Sequence, residues 1–282
     1  RGSGSGGSAV VPVKDKTEVL RLVEADGYAL ELAPEELRAD PEVVKVAVAQ
    51  SGFALQYAAE ALRADPEVVK IAVAQEGHAL EHAARSLRAD REIVMLAVAK
   101  WGFALQFAAE ELRADKELVK VAVTLQGHAL QYADERLRAD PELVKIAVLD
   151  GGYPLQYASE GLRADTEIVK VAVARNGMAL KYAGDGPRAD PEVVKIAVRQ
   201  NFVSLEYAAE ALQDDPGMVK VQAKSDRIFR AKFYVGKFLL QLVVTPALAI
   251  VGAAGRVRGL FRRGSRADGL ARELKESLRR QK

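Results

Sequence analysis

Cysteine is absent from this 282-residue chain, and tryptophan occurs once, histidine three times and methionine three times. Without cysteine there is no disulfide, no thiolate metal site and no cysteine nucleophile, and the redox compartment stays open. An excess of charge of one sign is lacking too: 41 basic and 39 acidic side chains give a formal +2. The chain starts without methionine, on RGSGSGGS. Such a Gly/Ser run is a flexible linker, and residues 1–14 are set aside as a processed, truncated or tagged end. Long apolar runs are scarce. One stretch, Phe238–Gly255, stays uncharged over 18 residues.

What is present is periodic. The stretch Asp40–Ala64, DPEVVKVAVAQSGFALQYAAEALRA, recurs in edited form every 25 residues from Asp15 to about residue 220. A fixed short period marks a solenoid, in which each unit buries its apolar face against its neighbours. Every unit opens on an aspartate, from Asp15 to Asp215, followed by proline at 41, 66, 141, 191 and 216. Asp as N-cap, Pro at the first helical position and Glu in the first turn satisfy free amides and suit the helix dipole. A run such as Val43, Val44, Val46, Ala47 and Val48 follows, closed by glycine at 27, 52, 77, 102, 127, 152 and 177. A glycine closing a helix suggests a positive φ. The second half, Phe53–Leu62, sets Leu55, Ala58, Ala59 and Leu62 at helical spacing. The β-branched Val-rich run also suits a strand, but the Asp-Pro-Glu start and the glycine stop argue for helix. The expected fold is all-α: a solenoid of about eight helix–turn–helix units over 15–221, ending in the half unit Asp215–Val221.

The pattern L-R-A-D-x-E-V-V-x-x-A-V-x-x-x-G-x-A-L-x-Y-A, seen at 62–83 and 137–158, resembles the repeat family called domain of unknown function 4116. The resemblance implies a helical repeat fold and brings no catalytic residues. It also implies a setting in protists, algae or some bacteria.

Several columns look chemical. His78 and His82 are four apart, a metal-pair spacing, yet they share columns with Tyr28, Phe53 and Phe103 and with Tyr57, Phe107 and Tyr132. Both are expected to pack. Arginines at 38, 63, 88, 113, 138, 163 and 188 form a ladder, and lysines at 45, 70, 120, 145, 170, 195 and 220 form another. An arginine ladder could bind phosphate, but among Asp and Glu of the same period, inter-unit ion pairs on a solvated face are expected. Trp101 stands in a column of small or polar loop residues, and Leu125 breaks the column before it. Both read as exposed partner contacts. In the seventh unit, Gly184, Asp185, Gly186 and Pro187 should shorten the second helix and loosen the stack. No nucleophile–base pair or phosphate loop recurs, so the expected protein is not an enzyme and binds no cofactor or metal.

Charge divides the chain. Residues 1–220 hold 26 basic and 35 acidic side chains, and residues 221–282 hold 15 and 4. After a basic connector, 222–232, the segment 233–256 reads as a transmembrane or deeply inserted helix. Phe233, Tyr234 and Phe238 gather at one end, with Lys237 before the run and Arg256, Arg258, Arg262 and Arg263 after it, as a water interface selects. Gln241 inside the run could bond a partner helix or ligate a pigment magnesium. The tail 257–282 contains DGLARELKESLRRQ, a basic amphipathic helix suited to an anionic membrane surface. These features point to a non-enzymatic scaffold or accessory subunit of a membrane complex. The family's algal occurrence suggests a plastid thylakoid and a photosystem or light-harvesting complex. The alternative is a soluble peptide- or nucleic-acid-binding repeat protein whose apolar tail caps the solenoid. Nucleic acid is the less favoured partner, since no recognised motif supports it.

Overall fold

The computed structural model describes residues 15–230. Each unit begins where the sequence places a cap. The Asp40 carboxylate accepts from the amides of Glu42 and Val43 at 2.9 and 3.4 Å, and Asp65, Asp90, Asp140, Asp165 and Asp190 repeat the arrangement. Capped helices run Lys16–Ala25, Pro41–Gln50, Pro66–Gln75, Arg91–Lys100, Lys116–Leu125, Pro141–Leu149, Thr166–Arg175 and Pro191–Gln200. Val43, Val44, Ala47 and Val48, and their counterparts in each later full unit, are sealed from solvent. Consecutive long helices pack on one another, so the core is continuous through the array. No strand occurs among the described residues. Helix is thus the outcome for the Val-rich runs.

The glycine column does something other than expected. The long helix ends on an extended residue, Ser51 at φ −141° and ψ 119°, whose amide donates to the Ala47 carbonyl. Among the described glycines only Gly151 and Gly152 have positive φ, so within the column the expectation is met at Gly152 alone. The column is instead a point of close approach. A β-carbon on Gly52 would lie 2.4 Å from the Ala72 carbonyl oxygen of the next unit, and one on Gly77 2.4 Å from that of Ala97.

The second half of the unit is not one helix. It splits into a 3₁₀ helix, Gly52–Tyr57, and a single α turn, Glu60–Arg63. Ala58 and Ala59 between them are extended, at ψ 148° and 152°. Ten residues make a marginal helix alone, and here a cross-unit bond wins. The Ala59 amide donates to the Arg38 carbonyl of the preceding unit at 2.9 Å. The same bond links Ala84 to Arg63, Ala109 to Arg88, Asp134 to Arg113, Ser159 to Arg138, Gly184 to Arg163 and Ala209 to Arg188, all at 2.7–2.9 Å. Leu55 and Leu62 still reach the core from their separate pieces.

The seventh unit does not loosen. Asp185–Ala189 is helical over five residues, where its counterparts have four or, at Leu87–Ala89, three, and Pro187 is buried. Gly184 fits because a β-carbon there would come within 3.1 Å of Ala164. The backbone after Asp215 does not stop at Val221 but is helical as far as 230. Residues up to Ser225 form one unit, and of the second only 226–230 are described. No helix among the described residues is long and apolar enough to cross a membrane. The candidate span 233–256 and the tail 257–282 lie outside the described residues.

Candidate functional site: an arginine ladder beside an aromatic column

The 3₁₀ helices carry two aromatic positions, the second and sixth residues of Gly-x-Ala-Leu-x-x. Rings in these columns meet across units 29 residues apart. His78 meets Phe107 at 5.0 Å, Phe103 meets Tyr132 at 6.2 Å, His128 meets Tyr157 at 6.1 Å and Tyr153 meets Tyr182 at 6.2 Å. Most are edge-on, the favoured geometry for ring quadrupoles. Burial raises the Tyr157 phenol pKa, and neighbouring Tyr132 and Tyr182 add to the shift. The rings form a strip that is half-buried at most positions and exposed at Tyr28 and Tyr153.

His78 and His82 both serve this strip. His78 stacks on Trp101 at 4.8 Å, touches Phe53 at 5.2 Å and lies 2.9 Å from a Glu81 carboxylate oxygen. Burial holds the His82 pKa below its ordinary value, with the His78 and Arg63 charges adding to the effect and Glu81 opposing it. Trp101 is not the exposed residue its column implied. It is half-buried, ring against His78 and edge-on to Phe103 at 5.6 Å. An indole has this apolar surface to hide, and the gap beside His78 accepts it. Leu125 is 51% exposed, as its column implied.

The arginine ladder departs most from expectation. Inter-unit ion pairs exist, but other cations make them. Lys16 bridges Asp40 and Glu42 at 2.7 and 2.8 Å, Lys116 bridges Asp140 and Glu142 at 2.7 and 3.2 Å, and Arg91 meets Asp115 at 2.7 Å. Lys70 and Lys120 of the lysine column reach Glu92 and Glu142 at 3.0 and 2.7 Å. Hydrogen bonding from Lys16 is the main cause holding the Asp40 carboxyl below its ordinary value. Hydrogen bonds from Lys120 and Lys116 do the same for Glu142.

Arg38, Arg63, Arg88, Arg113, Arg138 and Arg163 join none of these pairs among the described residues. Each is half-buried, and each has a buried Nε with no hydrogen-bond partner. The two terminal nitrogens are not buried in this way, so each guanidinium is set into the wall with its fork at the surface. Arg188 differs, since its fork turns to Asp185. The backbone fixes the place of each rung. Each arginine carbonyl takes the amide two residues beyond the next unit's ring, as Arg63 takes Ala84 beside His82. Ladder and rings therefore run side by side. The sequence held one signal for this: the column is arginine in seven units and never lysine, while the partnered column uses lysine. A planar fork is what distinguishes the two.

Phe233, Tyr234, Lys237, Phe238, Gln241, Arg256, Arg258, Arg262 and Arg263 lie outside the described residues.

Stacked helical units, stitched by one backbone bond per step and sharing a continuous core, define an α-solenoid. A family model described as Domain of unknown function (DUF4116) matches residues 15–63, 65–113, 90–138, 115–163, 140–188 and 165–213. The chain belongs to that family. No curated protein and no solved structure matches the chain.

Proposed function

We propose that the chain is a non-enzymatic scaffold, an accessory subunit that receives other proteins along the arginine-and-ring face of its solenoid. One observation carries this reading: six half-buried guanidiniums, one per unit, have an unpartnered Nε and join no ion pair among the described residues. A repeated identical feature suits an extended partner; a reaction centre needs a single convergent set of unlike groups. The assembly belongs at a membrane, held by 233–256, with the basic tail 257–282 on an anionic lipid surface. The support is the uncharged 18-residue run Phe238–Gly255 between basic flanks. A thylakoid complex, photosynthetic in kind, is the setting proposed for an algal chain of this family. Two measurements on native membranes test the reading. Alkaline carbonate should leave the chain in the pellet, and mild detergent should release it within a particle much larger than 30.5 kDa. Release by carbonate as a lone chain would favour a soluble repeat protein whose apolar tail caps the stack.

A further inference from the structure

We propose that the ladder Arg38, Arg63, Arg88, Arg113, Arg138 and Arg163, with the rings beside it, is a docking track for an extended acid-bearing peptide segment. Such a segment would set one carboxylate on each rung. The inference rests on the scaffold reading and names the chemistry of the partner.

The first argument is the form of each rung. With Nε sealed and unpartnered, a ligand cannot pair side-on through Nε and Nη. It must meet the two terminal nitrogens end-on. Carboxylate takes such a fork with two parallel hydrogen bonds. Lysine offers the same charge without that geometry, and lysine never occupies the column. The aspartates that follow the rungs are engaged elsewhere: Asp65, Asp90, Asp140 and Asp165, each two residues beyond a rung, cap helices.

The second argument is spacing. Packed helical layers lie about 8–10 Å apart. A peptide in the extended polyproline II form rises about 3.1 Å per residue with three residues per turn, so every third side chain returns to the same face about 9 Å further on and meets a new rung. The residues between face the half-buried rings, of which Tyr132, Tyr157, Tyr182 and Tyr207 form the longest uniform run.

The third argument separates peptide from nucleic acid, which also pairs with arginine and stacks on rings. Residues 1–220 carry 35 acidic against 26 basic side chains. That field opposes a polymer charged at every nucleotide more than one charged at every third residue.

The test uses the full chain in mild detergent and fluorescence anisotropy. The probe is a labelled peptide of four Glu-Thr-Ala repeats. The same peptide with Gln for Glu and an oligouridylate of equal length serve as comparisons. The Glu peptide should bind, more weakly as salt rises, and about tenfold tighter than the Gln peptide for each rung engaged. Arg138→Gln should weaken it about tenfold, and Arg138→Lys, which keeps the charge, should still weaken it several-fold. Melting curves identify any variant that fails to fold, and the two peptides compared on the unaltered chain need no variant. Equal binding of the two peptides, affinity unchanged in Arg138→Gln, or tighter binding of oligouridylate would each overturn the proposal. If the peptide fails while the chain still leaves the membrane within a large particle, the recognition chemistry is wrong and the scaffold reading stands.

Discussion

Gly77 is required by what stands opposite it. Its missing side chain leaves room for the Ala97 carbonyl, which a β-carbon would approach to 2.4 Å. Gly77→Ala forces backbone to move and should cost about 1–3 kcal/mol, read as melting lowered by several degrees. The glycine column was legible in the sequence and its reason was not, because a gap in the next unit leaves no local mark. His82 makes a second residue-scale prediction. Burial lowers its proton affinity in the folded chain below the ordinary 6.5, so protons favour the unfolded chain. Its contribution to stability is therefore present above pH 6.5 and is lost as pH falls below it. His82→Tyr, the commonest residue of its column, should flatten the fall in melting temperature between about pH 7.5 and 5.5. An unchanged slope would remove His82 from the account. Asp40 and Glu142, held low by their lysines, act further down: their stabilisation is lost as pH falls through the ordinary carboxyl range.

At the scale of elements, the long helix was readable because its signals are local: Asp cap, Pro at the first position, apolar spacing. The second half of the unit was not. Leu55, Ala58 and Leu62 keep helical spacing, yet the chain extends at Ala58 and Ala59 to give an amide to the unit before. That partner lies 21 residues upstream, beyond any local pattern. Ala109→Pro isolates the bond. Ala109 already has φ −60° and Ala108 before it ψ 150°, both acceptable around proline. The loss should be that of the Arg88 hydrogen bond, about 1 kcal/mol, visible in denaturant midpoints. The first unit carries Pro34 at this position, which shows the unit's own fold accepts it.

Over the whole molecule, each described unit is stabilised by its neighbours, since a helix of ten residues does not persist alone. Removing the last two units should lower stability of the rest along with unfolding cooperativity, seen as a shallower denaturant slope. The period made the solenoid legible at once. The face proposed for a partner was not, because an ion pair and an open fork look alike in a column of letters. Only the placement of Lys16, Lys70, Lys116 and Lys120 on the acids shows that the arginines are left over.

The most direct measurement of that claim is arginine-specific dicarbonyl labelling, read by mass spectrometry, on the isolated chain and on the chain within the membrane particle proposed for it. Arg63, Arg88, Arg113 and Arg138 should label in isolation and be protected in the particle, while Arg188, already turned to Asp185, changes little. Equal labelling of the ladder in both states would contradict the account, since the partner would then sit on another face.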